Sequence, residues 1–415
     1  MRVLWITNIP VAEHRRMLGL PLNESGGWIE AAYSSLRDRD DITLGVVTIY
    51  SKQEIIKGED KQHRFFIIPC IGDPAQDISD NPDNQKYWRT VIEEFQPDVI
   101  QLWGTEHSHG LCALKVAGDI PAVAYMQGMM SQIAFHYLDG ISLRDQILST
   151  TLRDVVLKQC YWNLSKRQRI RAGIEEQIIK RVQGVIVENR WCACNCRLIN
   201  KDIKVFKSLL PINPVFSEYQ WSEDNMEPHS IFTVAGNSPI KGFHVLLKTL
   251  SLIVQRYPDV KVYVPGGSNR SIRRSSYYKY TKKLINKYNL KDHIEYLGRL
   301  TPQEMAQHMS VCNVFVMPSS IENHSSTLIE AMMVGAPCVA SYVGGVAEYL
   351  NDGYNGLQYR FDEYQTAAAH IMDIFENKGL AIDLSKVSIR ITRETRLSVD
   401  ISKDFIACYK SLIQK

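Results

Sequence analysis

"VFVMPSSIENHSSTLIEAMMVGAPCVASYVGG", residues 314–345, decides how this chain folds. An apolar run ending in Pro318 gives way to a short polar loop. A helical pattern starts near Ser325 to Thr327, and a Gly-Ala-Pro turn leads into a second apolar run closed by Gly344 and Gly345. Short apolar runs alternating with helical patterns indicate parallel sheets covered by helices on both faces. The alternation extends in both directions from here. Strands are expected at 2–8, 42–50, 63–69, 98–104, 121–128 and 184–189, and again at 231–236, 260–267, 294–299, 314–319 and 337–345. It breaks once, near 206–229, where a proline-containing, acidic run reads as a linker. The expectation is an α/β chain in two parts, residues 1–205 and 206–395, followed by an amphipathic helix at 396–415.

Composition narrows the class. A chain of 415 residues is long enough for two or three domains. With 45% hydrophobic and 22% charged residues it reads as soluble and globular. The net charge of +3 gives no argument for a nucleic-acid partner. No run approaches the roughly 18 apolar residues of a membrane span. The N-terminus reads as a strand entering a loop, not as a signal peptide. Nine cysteines, an odd number, point to free thiols in a reducing compartment. Cys192, Cys194 and Cys196 lack the second ligand pair of a zinc site and read as ordinary thiols.

Ligands of open α/β sheets bind beyond the carboxyl ends of the strands. The opening stretch puts two acids there, Glu322 and Glu330, eight positions apart. Three readings are open. Thr327 and Glu330 have the spacing of a capping box, which would give Glu330 a backbone role. The acids could instead be a glycosidase pair, which spacing alone cannot show. Thirdly, a helix starting here would offer its N–H groups to an anion such as a diphosphate. Glu322 and Glu330, as pure acceptors, would then take diol hydroxyls on either side.

Extended to residue 359, the stretch resembles the donor-site signature of glycosyltransferase family 4. It has a strand ending in Pro-Ser, Glu-x7-Glu, Glu-Ala-Met, a Gly-x-Pro turn, Gly-Gly and Asn-Gly. The resemblance is strongest over about 230–360. It implies a GT-B fold, two Rossmann-like domains with parallel sheets facing a central cleft, and a terminal helix that returns to the N-terminal domain. It also implies a retaining enzyme that moves a hexose from a nucleoside-diphosphate sugar.

Residue roles follow by match. Glu322 would contact the donor sugar and Glu330 the ribose, with Asn323, His324, Ser325, Ser326 and Thr327 facing sugar and diphosphate. Gly298, Arg299 and Leu300 resemble the segment that cradles the nucleobase. Gly236, Asn237 and Lys241 resemble the phosphate-binding turn, with Lys241 beside the diphosphate. Asn237 stands where the family has Arg, and Arg190 or Arg299 is placed to supply that charge. Gly26 and Gly27 resemble the family's glycine-rich loop. On the acceptor side stand Glu106, His107 and His109, which also fit satisfied loop residues, and Gln127, where relatives carry His. The resemblance implies no cofactor and no metal. Asp38, Asp40 and Asp41 read as a solvated turn.

The implied acceptor is a sugar hydroxyl of a growing surface polysaccharide or lipid-linked glycan. A nucleotide-sugar epimerase and a non-catalytic nucleotide-sugar-binding subunit are the alternatives. Residues 153–181 hold eight Lys or Arg against three acids, interleaved with apolar residues. They read either as a peripheral contact with the inner face of a membrane or as a basic helix packed on the N-terminal sheet. The expected location is cytoplasmic.

Overall fold

The structure, a computed structural model, describes residues 1–22, 27–51, 53–236, 238–266, 275–397 and 399–414. It divides into two compact α/β units. The first holds Met1–Ala134, Arg167–Pro211 and Val399–Lys415; the second holds Phe135–Lys166 and Ile212–Ser398. Residues 135–166 therefore pack with the second unit, against the expectation that they belong to the N-terminal half. Part of the cause is His244, buried in the second unit, whose ring nitrogens bond the Asp139 carbonyl at 2.9 Å and the Tyr277 hydroxyl at 3.1 Å.

The strands of the first unit are β1 Arg2–Thr7, β2 Thr43–Ile49, β3 Ile56–Asp60, β4 His63–Ile68, β5 Val99–Trp103, β6 Ala122–Tyr125, β7 Gly184–Val187 and β8 Lys204–Lys207. They form one sheet in the order β3-β4-β2-β1-β5-β6-β7-β8, parallel except for β3. Central strands such as β5 are buried along their whole length, as a sheet covered on both faces requires. The C-terminal helix Ile401–Ile413 covers one face. Phe405 packs against Trp5, Trp103 and Tyr125, and Tyr409 accepts from Trp5 Nε1 at 2.9 Å while donating to Gln101 at 2.5 Å. A buried aromatic such as Phe405 is worth about 3 kcal/mol through burial alone.

The second unit has β9 Glu227–Phe232, β10 Lys261–Pro265, β11 Ile294–Gly298, β12 Cys312–Met317, β13 Cys338–Ser341 and β14 Leu357–Tyr359. The order is β11-β10-β9-β12-β13-β14, and every pairing is parallel. The run expected as a linker contains the crossing from the first unit to the second, between Pro211 and Ile212. Its ends fall in β8 and β9, and a short helix, Val215–Glu218, lies between. Strand β9 starts four residues before its expected position because Ser230 and Asn313 lock it to β12: Asn313 N donates to Ser230 Oγ, and His229 N to Asn313 Oδ1.

Candidate functional site

The quoted stretch folds as strand, loop and helix. β12 ends at Met317, and the helix Ser326–Val334 follows a loop of eight residues, 318–325. Ser325 is the N-cap, its Oγ accepting from Leu328 N at 3.4 Å. The Thr327–Glu330 capping box does not form, because the helix starts before Thr327 and leaves Glu330 one turn inside it. Ser325 N donates to the Tyr349 hydroxyl at 3.1 Å.

The loop is pinned from three sides. Ser341 Oγ donates to the Ser319 carbonyl at 2.5 Å, Ser320 N to the Ile240 carbonyl at 2.8 Å, and Gly345 N to the Glu322 carbonyl at 3.0 Å. Two glycines allow this close approach. A Cβ on Gly242 (φ +69°) would stand 1.6 Å from the Pro318 carbonyl oxygen, and one on Gly344 (φ +52°) 2.0 Å from that of Glu322. Gly242 directly follows the turn that carries Lys241. Lys241 Nζ therefore reaches Glu322 Oε1 at 2.6 Å, and Ser319 Oγ donates to the same oxygen at 2.7 Å. The Glu322 side chain is 9% exposed and that of Lys241 42%, so the carboxylate lies beneath a cation that still meets solvent. Beside them opens a cavity of about 130 Å³, lined by Thr233, Lys241, Met317, Ser319, Glu322 and Thr327 among others. Cation, buried acceptor and helix start together suit an anion that carries hydroxyls.

Glu330 is half-buried, and its carboxylate has no hydrogen-bond or ion-pair partner among the described residues. Desolvation alone pushes its pKa from 4.5 up to about 7. The charged form is the disfavoured one, so folding stability is lost as pH rises from the ordinary carboxylate value through about 7. His324 packs beside Tyr349 at 5.8 Å, and burial and then the Arg396 charge pull its pKa down to about 3. It is neutral at ordinary pH. Asn323 is buried, while Ser326 is exposed. Gly298 ends β11, followed by exposed Arg299 and half-buried Leu300. Gly236 follows β9, with Val264 close beside it. Asn237 and Gly26 lie outside the described residues, and Gly27 opens the helix Gly27–Leu36.

The acceptor-side candidates all belong to the first unit. Asn8 Nδ2 donates to Glu106 Oε2 at 2.8 Å, and Arg171 Nε to the Glu106 carbonyl at 2.9 Å. Burial raises the Glu106 pKa. His109 is buried, stacked on Trp88 and beside His107, and desolvation lowers the two histidines to about 3 and about 4. Gln127 and Arg190 follow β6 and β7, and Arg190 is exposed at a helix start capped by Asn189. Sequence reasoning missed Glu175. It is fully buried and accepts from Thr105 Oγ1, Met130 N and Ser131 N at 3.0, 2.7 and 3.0 Å. Its position beside Ile174, on the buried side of the helix Tyr161–Arg181, was the available signal.

Asp38 pairs with Lys61 and Asp41 with Arg39, as expected of a charged surface turn. Among the described residues no group of three or more His, Cys, Asp or Glu is arranged to hold a metal ion.

Residues 217–390, the stretch holding Lys241, Glu322 and Glu330, match the family model described as "Glycosyl transferases group 1". Within it the chain is 30% identical over 121 residues to the D-inositol 3-phosphate glycosyltransferase of Corynebacterium urealyticum, covering 28% of each chain. It is 28% identical over 160 residues to the phosphatidyl-myo-inositol mannosyltransferase of Mycolicibacterium smegmatis, covering 38% of this chain and 39% of that one. The chain thus spans well under half the length of the curated relatives it matches. Sucrose-phosphate synthase of Thermosynechococcus elongatus superposes with a TM-score of 0.73 at 16% identity, over 99% of both chains. Anabaena Alr3699/HepE, solved in complex with UDP-glucose, gives 0.64 at 16% identity, over 99% of this chain and 100% of that one. The fold is GT-B.

Proposed function

We propose that the chain is a retaining glycosyltransferase of the family 4 type. It moves a hexose from a nucleoside-diphosphate sugar to a sugar hydroxyl of a surface polysaccharide or lipid-linked glycan. The observation that carries this is the Lys241–Glu322 pair at 2.6 Å beside the cavity, with a helix start next to it. In the reaction the bond from the anomeric carbon to the phosphate oxygen breaks, and charge develops on the leaving diphosphate. Lys241 and the helix N–H groups stabilise that charge. The acceptor oxygen bonds to the anomeric carbon on the face the diphosphate leaves, and its proton passes to the departing phosphate oxygen. Glu322 takes a sugar hydroxyl, and Glu330 takes the ribose diol. The cationic groups are the protein's own, so we propose no metal or other cofactor. The free thiols fit a cytoplasmic setting.

The test is an assay of purified protein with UDP- and GDP-sugars and candidate glycan acceptors, in excess EDTA. Transfer should need the acceptor and survive the chelator. Donor turnover without acceptor would favour an epimerase, and binding without turnover a non-catalytic subunit. Metal-reversible loss of activity would refute the neutralisation by Lys241.

A further inference from the structure

Half of the exposed large hydrophobic side chains among the described residues, 9 of 18, fall within residues 135–162. Most sit on two short helices of the second unit, Leu143–Ser149 and Leu152–Val156. Leu143, Ile147 and Leu148 share the outer side of the first, and Leu152 and Val156 that of the second, with Trp162 just beyond. Leu152 is 87% exposed, Val156 79% and Leu143 70%. Soluble monomers seldom leave aliphatic residues grouped in this way.

The segment is firmly held beneath these residues. Asp154, 1% exposed, accepts from Lys279 Nζ, Ser276 Oγ and Thr151 N at 2.8–2.9 Å. Burial pushes its pKa up, but these bonds together hold it down at about 2. Asp145 pairs with Lys283 at 3.2 Å. These are the only acids in residues 142–166, and both are tied to lysines of the helix Ser276–Lys287. The exposed charges of residues 142–166 are therefore all positive, Arg144, Arg153, Lys158 and Lys166, and the helix Ser276–Lys287, which has no acid, adds exposed Lys282 and Lys287.

We propose that this face docks on an anionic lipid surface. Exposed aliphatic residues with one Trp, rimmed by Lys and Arg, have the composition of an interfacial contact. Protein interfaces instead deplete Lys, whereas Lys158 and Lys166 stand exposed beside these aliphatic residues. A second copy placed face to face would bring like charges together. The basic run at 153–181 thus divides. Its first part carries the docking face, while Ile174, Ile178 and Ile179 pack in the core of the first unit and Arg171 bonds Glu106. The segment also touches the donor loop, since Ser320 Oγ donates to the His136 carbonyl at 3.1 Å. The inference stands on the surface alone and does not depend on the transfer reaction.

The experiment is sedimentation of the full chain with vesicles of phosphatidylcholine alone, or of phosphatidylcholine and phosphatidylglycerol in equal parts, at low and raised salt. Binding should need the anionic lipid and weaken with salt. Leu152→Ser with Val156→Ser should lower partitioning about tenfold or more. Lys282→Gln and Lys287→Gln should each lower it roughly fivefold. These four side chains are exposed, so the variants should keep the parent melting temperature. Three outcomes would overturn the proposal: equal binding to both vesicles, binding unaffected by the Ser variants, or a dimer in sedimentation velocity that those variants abolish.

Discussion

Replacement of Lys241 by Ala is expected to lower the rate of sugar transfer by about 10²–10³, the usual effect of removing one group that stabilises developing charge. Lys241 is the cation seated directly over Glu322, so two roles must be separated. If it only neutralises the buried carboxylate, its loss should lower the melting temperature and leave turnover per folded molecule unchanged. If it also meets the leaving diphosphate, turnover falls even with saturating donor. Lys241→Arg keeps the charge but not the compact ammonium that sits over Glu322, and should fall between the two. Full activity in the folded Ala variant would remove Lys241 from the chemistry.

Gly242→Ala should cost roughly 3–5 kcal/mol of stability, the range reserved for substitutions with a definite steric cause. The new Cβ would lie 1.6 Å from the Pro318 carbonyl oxygen, so the Lys241 turn and the loop 318–325 must separate. Gly353 supplies the control. It has a similar φ, +71°, but nothing within 4 Å of its would-be Cβ, so Gly353→Ala should cost only the left-handed strain of about 1–2 kcal/mol. Urea unfolding of the two variants checks this. Equal losses would mean that backbone strain, and not the contact with Pro318, requires Gly242.

The 314–345 stretch was legible because its parts are local. Strand, loop, cap and helix follow one another within 314–345, and the apolar spacing and the two acids mark their order. The helix start was placed within two residues, but the choice of Ser325 over Thr327 as cap rests on Tyr349, twenty-four positions away. Features set by distant partners were not legible. β3 is an antiparallel edge strand of mixed polarity, and β14 has only three residues, so neither shows a clear period. Residues 135–166 precede a strand of the first sheet, yet His244 and Lys279 hold them to the second unit. Glu175 lies in a helix whose charge suggests a solvated surface, and only the Thr105 hydroxyl and two backbone N–H groups show that it faces inward.

Glu322 and Glu330 are proposed to bracket a nucleotide sugar. The most direct measurement is calorimetric titration of UDP- and GDP-sugars into the wild-type chain and Glu330→Gln, on both sides of neutral pH. A nucleotide sugar suits this test because its diphosphate does not titrate near pH 7. At least one donor should bind the wild type, and more tightly as pH rises through about 7 and Glu330 ionises to accept the ribose hydroxyls. Glu330→Gln should bind that donor about tenfold more weakly or worse, the loss of a hydrogen bond to a charged group, with little dependence on pH. No binding of any nucleotide sugar by the wild type, or the same affinity and pH response in Glu330→Gln, would contradict it.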